Sequence, residues 1–93
     1  MYYVYILTNR TNRVLYTGVT SNLRKRMNDH ITKSDPTSFT ARYNCNKLVW
    51  VGEFHNVIDA ISYEKKIKAG SRAKKIALIN SINPQWDDLA NTI

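Results

Sequence analysis

Acidic residues are scarce in this chain: 7 Asp and Glu face 14 Lys and Arg among 93 residues, a net charge of +7 with a pI near 9.8. It has one cysteine, no long apolar run, no internal repeat and no low-complexity tract. Each absence excludes something. Cys45 alone cannot close an internal disulfide, which points to a reducing cytoplasm. Without a long apolar run there is no candidate membrane span. The opening MYYVYILT is too short and too poor in basic flanks for a secretory signal. Cys45, His30 and His55 lie in unrelated segments with none of the usual zinc-ligand spacings. No linker-like stretch divides the chain, so residues 1–93 are expected to form one domain with one modest core.

What is present argues for a folded protein. The hydrophobic share is 43%, and two Trp, two Phe and six Tyr exclude a disordered chain. The positive charge fits a polyanionic partner, because each Lys or Arg that meets a phosphate releases condensed counterions. Nucleic acid, DNA before RNA, is the leading partner class. Charge does not separate an enzyme from a binder, or either from a basic face that only confers solubility.

Tyr2 to Leu7 and Val14 to Val19 alternate and are rich in aromatic and branched residues, with polar Thr8 to Arg13 between them. This predicts a β-hairpin. A turn centred between Arg10 and Thr11 places Tyr5 directly opposite Tyr16 on one face. The pair is either two phenols sharing a site or an aromatic pair filling the core. Ser21 or Asn22 then caps a helix through His30, with Leu23, Met27 and Ile31 as its buried stripe. Arg26 and His30, four apart beside that stripe, can point at one spot. The plainer reading of this segment is a solvated basic helix.

Thr32 to Asn46 reads as a long polar connection and a candidate mobile flap, with Phe39 and Tyr43 spaced for a turn or two of helix. Lys47 to Phe54 is the third strand; apolar residues on both its sides predict cover on both faces and a position away from an open edge. Asn56 caps the next helix, Gly70 ends it as a left-handed stop, and Ser71 caps a last helix from Arg72 to Ile82. The result is an α+β chain in the order ββαβαα.

One carboxylate stands apart. Glu64, the only acid between Asp59 and Asp87, falls within a helical stripe of Val57, Ala60, Ile61 and Ile67. A carboxylate aimed inward needs a partner, either a basic side chain or a divalent cation that can bridge to a phosphate. Two Tyr on a hairpin, an Arg and a His one helical turn apart, and one inward Glu suit phosphodiester cleavage. Arg26 would clamp the phosphate, Glu64 would hold one Mg2+ or Mn2+, and a phenol or His30 would take a proton from the attacking water.

At these residues the chain resembles the GIY-YIG nuclease family. The two name-giving tripeptides correspond to Tyr3-Val4-Tyr5 and Tyr16-Thr17-Gly18, followed by Asn22-Leu23-Arg24-Lys25-Arg26 with His30, by Glu64-Lys65-Lys66-Ile67-Lys68, and by Asn83-Pro84-Gln85-Trp86. The likeness runs from about Tyr2 to Leu89 and is greatest to small stand-alone bacterial members. It implies a three-stranded antiparallel sheet flanked by helices. It also implies Tyr5 and Tyr16 as site phenols, Arg26 as the phosphate-binding Arg, His30 as an auxiliary, Glu64 as the ligand of one Mg2+ or Mn2+, and Asn83 as a supporting group. Tyr3 and Thr17 depart from the name-giving tripeptides, and Tyr63 stands where close relatives would carry Arg.

The expected activity is metal-dependent DNA endonuclease or nickase chemistry of low intrinsic sequence specificity, with DNA repair or recombination as its setting. Arg24, Lys25, Arg42, Lys65 and Lys68 are the expected contacts to the nucleic acid. No segment serves as a separate DNA-binding domain, so a protein partner would supply targeting. The alternatives are a nucleic-acid-binding module with the same fold and little catalysis, and a protein-interaction domain in which Glu64 is paired with a Lys or Arg in the core.

Overall fold

A computed structural model describes residues 1–92. Strands β1 (Tyr2–Thr8) and β2 (Leu15–Thr20) lead into helix α1 (Leu23–Thr32) and a four-residue helix α2 (Phe39–Arg42). Strand β3 (Lys47–Phe54) follows, then α3 (Val57–Ala69), α4 (Arg72–Ile82) and a 3-10 turn at Leu89–Thr92. The three strands form one antiparallel sheet in the order β2-β1-β3, the α+β arrangement expected.

The alternation of β1 divides the core between the two faces of the sheet. Val4 and Ile6 pack with Ala60, Ile67 and Ile79 of α3 and α4. Tyr5 and Leu7 face the other way, onto Leu23 and Met27 of α1 with Cys45 and Leu48. Each fully buried aliphatic side chain of this kind contributes about 1.5–3 kcal/mol relative to exposure. Among the described residues no helix is long and apolar enough to cross a membrane.

Several local expectations are corrected. Tyr5 lies opposite Gly18, and Tyr16 opposite Leu7, so the hairpin register is two residues away from the Tyr5–Tyr16 pairing. The turn is longer than a symmetric hairpin because Asn9 Oδ1 accepts from the amides of Arg13 and Val14, while Asn12 takes a left-handed φ of 59°. The strand period is two, so the slip leaves Tyr5 and Tyr16 on one face. Strand β3 is an edge: apolar residues on both its sides report cover of its faces and say nothing about its unpaired rim. Its alternation is also interrupted. A register shift between Ile6 and Leu7 pairs them with Trp50 and Leu48, and Val49 and Trp50 join the same cluster.

The helices start where their caps place them. Asn22, Asn56 and Ser71 each accept a backbone N–H from the first turn. Their apolar stripes are narrower than expected. Ile31 is 51% exposed, because in the last turn of α1 it is His30 that faces the sheet, and Val57 and Ile61 are each 39% exposed. Helix α3 buries Ala60 and Ile67, with Tyr63 and Glu64 half-buried beside them. Tyr63 stacks near Trp50 and Phe54, with ring centroids at 6.1 and 5.3 Å, so the position is an aromatic packing site. Gly70 ends α3 with an extended backbone (φ −77°) in place of a left-handed stop. The 33–46 connection carries hydrogen bonds of its own: Cys45 N donates to the Thr40 carbonyl at 2.8 Å, and Lys33 Nζ to Asn44 Oδ1 at 2.6 Å.

Candidate active site

Three rings from three elements meet on the α1 side of the sheet. Tyr5 of β1, Tyr16 of β2 and His30 of α1 have centroids 6.4, 5.9 and 5.8 Å apart. Leu23 and Met27 seat α1 on the sheet, and the next turn brings His30 over Tyr5, whose hydroxyl lies 3.2 Å from His30 Nε2. Tyr5 is 1% exposed. Gly18, its partner across the ladder, makes room for the ring: a Cβ there would stand 2.5 Å from Tyr5 Cζ. The glycine of the second tripeptide thus leaves space for the tyrosine of the first.

The other side of His30 is also engaged. Its Nδ1 lies 2.8 Å from Oγ1 of buried Thr40, which in turn lies 3.3 Å from Ser38 Oγ. Phe39 stacks on Tyr16 with centroids 6.0 Å apart. These side chains open onto a cleft of about 260 Å³ lined by Tyr16, Arg26, Asp29, His30, Phe39 and Thr40 together with Ser34, Asp35 and Ser38. Thr40, Ser38 and Phe39 were not among the site residues expected from sequence. Their only local signal is Ser38 as an N-cap; the approach of Thr40 to His30 is a tertiary contact.

The electrostatics sort the proton carriers. Burial pushes the Tyr5 phenol well above its ordinary value; neighbouring Tyr16 adds to this, Arg26 opposes it, and the Glu64 carboxylate adds further. Tyr5 therefore stays a phenol at neutral pH. His30 moves the other way: burial and the Arg26 charge lower its pKa below 6.5, against a smaller opposing effect of Asp29. Neutral imidazole is the form able to accept a proton.

Tyr5, Tyr16, Arg26 and His30 are thus brought together. Glu64 is not brought to the cleft; its carboxylate is the weakest of the influences on the Tyr5 phenol. Its side chain is 13% exposed, and Oε2 pairs with Lys68 Nζ at 3.2 Å. Lys68 is 52% exposed, so the pair lies at the surface rather than in the core. Asn83 sits elsewhere. Its amide donates to the carbonyls of Val49 and Asp87 at 3.0 and 2.9 Å, and its Oδ1 accepts from Asp87 N, which fastens the end of α4 to β3. Arg24, Lys25, Arg42 and Lys65 are all exposed, with Lys25 paired to Asp29 at 3.3 Å.

A single Glu together with substrate phosphate oxygens would suit only a hard cation that needs few protein ligands. Among the described residues no three His, Cys, Asp or Glu side chains come together; Asp29 and Asp35 line the cleft, and Glu64 lies outside it, paired with Lys68. Mg2+ keeps several waters and is commonly held by one or two carboxylates together with substrate phosphate oxygens, a demand that one Glu can meet.

Known proteins are similar to this chain over most of its length. The model of the GIY-YIG catalytic domain matches residues 1–77. A UPF0213 protein of Syntrophus aciditrophicus is 35% identical over 83 residues, covering 89% of this chain and 93% of its own. One from Clostridium perfringens is 40% identical over 81 residues, covering 87% and 85%. The solution NMR structure of a UPF0213 protein from Bacillus halodurans superposes with a TM-score of 0.60 at 27% identity, covering 95% of this chain and 93% of that one. With its two tripeptides packed as tyrosine over glycine and matched by that domain model, the chain belongs to the GIY-YIG family.

Proposed function

We propose that this protein is a metal-dependent DNA endonuclease or nickase that hydrolyses phosphodiester bonds to leave a 5′ phosphate and a 3′ hydroxyl, with low intrinsic sequence specificity. Membership in the GIY-YIG catalytic-domain family supports nuclease-type chemistry. The observation that carries the finer reading is the placement of a neutral imidazole and a buried phenol in hydrogen-bond contact, beside Arg26 and within the field of Glu64.

Arg26 binds the scissile phosphate at the cleft and offsets the charge that develops there. His30, held neutral, accepts through Nε2 the proton of the Tyr5 hydroxyl, which takes one in turn from the attacking water. Tyr5 is too weakly acidic to serve as a phenolate base and instead donates and relays. Tyr16 and Phe39 form an aromatic wall that orients what enters. Glu64 is the residue that would hold one Mg2+ or Mn2+; such an ion supplies Lewis-acid stabilisation of the phosphate and the leaving oxygen. Asn83 supports the frame. Arg24, Lys25, Arg42, Lys65 and Lys68 contact the nucleic-acid backbone from exposed positions. The reducing cytoplasm, the repair or recombination setting and a targeting partner belong to this same reading.

Purified protein should nick supercoiled plasmid or branched DNA with Mg2+ or Mn2+, and Glu64→Ala and Arg26→Ala should abolish nicking while circular dichroism shows a folded protein. Cleavage persisting in pure Glu64→Ala protein would overturn the metal role. The Glu64–Lys68 pair favours a second reading, a binding module in which a lysine fills the cation's place. Steeply salt-dependent DNA binding, without metal-stimulated cleavage of duplex, branched or single-stranded DNA, would establish it.

A further inference from the structure

The contacts of His30 contain a direction. A neutral imidazole carries one ring proton, and both its neighbours, Tyr5 and Thr40, are hydroxyls that can donate or accept. Geometry alone leaves the tautomer open. The burial of Tyr5 favours one of the two, and the acceptor that Thr40 offers to Nδ1 supplies the rest. At neutral pH its hydroxyl carries a proton, it is 1% exposed, and its partner among the described residues is His30 Nε2. Were Nε2 protonated, it would donate to the phenol oxygen and leave the phenol's own proton buried with no acceptor, a penalty of about 1–3 kcal/mol.

The opposite orientation satisfies every group in turn. Tyr5 O–H donates to Nε2, Nδ1–H donates to Thr40 Oγ1 at 2.8 Å, and Thr40 O–H donates to Ser38 Oγ at 3.3 Å. Ser38 already accepts the Ala41 amide as the N-cap of α2, and at its half-exposed position its own proton is free to face water. A second constraint holds Thr40 in place: its carbonyl accepts from Cys45 N at 2.8 Å. Thr40 as a whole is 4% exposed, so its hydroxyl is not a solvent rotor.

We propose that Thr40 is a positioning residue that holds His30 as the Nδ1–H tautomer, so that the ring nitrogen facing Tyr5 keeps its lone pair for accepting a proton. Once Nε2 takes that proton, both nitrogens donate and Thr40 keeps the ring in its plane. The catalytic consequence rests on the nuclease reading above; the tautomer itself does not, and it can be read without substrate.

The experiment is a long-range 1H–15N correlation of the imidazole rings in uniformly 15N-labelled protein at pH 7.5. The chain has two histidines, and exposed His55 serves as an internal reference. Wild-type protein should show a protonated Nδ1 and an unprotonated Nε2 at His30. Thr40→Val, which keeps the shape and removes the acceptor, should move His30 toward the Nε2–H pattern, and Thr40→Ser should restore it. In nicking assays Thr40→Val should lower kcat about 100-fold with KM little changed, the lower range of what a positioned acid–base group contributes, and Thr40→Ser should recover most of it. A wild-type Nε2–H spectrum overturns the proposal, and so does a folded Thr40→Val protein whose ring pattern is unchanged. If Thr40→Val does not fold, the wild-type spectrum decides alone. The predicted tautomer in a protein that cleaves no DNA would sink the nuclease reading and leave the tautomer standing.

Discussion

Gly18→Ala is a one-methyl change whose effect can be worked from the contact it creates. The added carbon would stand 2.5 Å from Cζ and 3.0 Å from Cε1 of Tyr5, well inside van der Waals contact. Gly18 has no positive φ, so its backbone suits alanine and any penalty must come from the ring. Tyr5 has little room to retreat, being 1% exposed on a central strand bonded on both sides. Overpacking of this kind costs about 1–3 kcal/mol. The cost should depend on the phenol: Tyr5→Leu removes Cζ, Cε1 and the hydroxyl while keeping an apolar side chain. In that background Gly18→Ala should be neutral or stabilise slightly, because alanine has fewer unfolded conformations to lose. Urea unfolding of the four proteins, followed by far-ultraviolet circular dichroism, should therefore give a coupling of about 1–3 kcal/mol. Additivity within about 0.5 kcal/mol would refute the argument and mean that β2 shifts to accommodate the methyl. Nicking should fall further than stability, because the clash displaces the hydroxyl that meets His30.

The remaining predictions concern charge and support. The lowered His30 pKa means that its stabilising effect is complete above 6.5 and is lost as pH falls through its folded value, since the unfolded chain binds the proton first; cleavage should decline over the same acidic range, and a His30→Gln variant should lose that limb of the pH profile. Lys68→Met removes a partner from Glu64, and because exposed i,i+4 pairs are worth only about 0.3–0.5 kcal/mol, Mn2+ binding measured by water-proton relaxation should tighten no more than about twofold. The same substitution should lower the salt slope of DNA binding by about one. Asn83→Ala leaves the buried Val49 carbonyl without its donor and removes two further bonds to exposed Asp87, and should cost about 1–3 kcal/mol in urea unfolding, while kcat of the folded protein changes less than twofold.

The hairpin, the third strand and the cap-defined starts of α1, α3 and α4 were legible because each rests on local signals: alternation, a side chain that can accept a first-turn amide, a polar turn. The face shared by Tyr5 and Tyr16 was legible for the same reason, and it survived a register error because a two-residue slip preserves sidedness. Tertiary facts were not legible. Whether β3 has a neighbour on its far side, where its bulge falls, and how far α1 and α3 rotate to expose Ile31, Val57 and Ile61 are all decided by what packs against them. Thr40 is the clearest case. A threonine in a polar connection resembles any other, and only the fold brings its hydroxyl within 2.8 Å of a ring ten positions earlier.

Tyr5 lies on the strand that opens last when a three-stranded sheet frays, whereas its hydrogen-bonding partners arrive from the helical layer and the 33–46 connection. One half of the candidate site is therefore fixed by the central strand, and the other half depends on how the helix and the connection pack onto it. Reagents or partners that act on the chain between Thr32 and Asn46 have a handle on the chemistry that leaves the sheet intact.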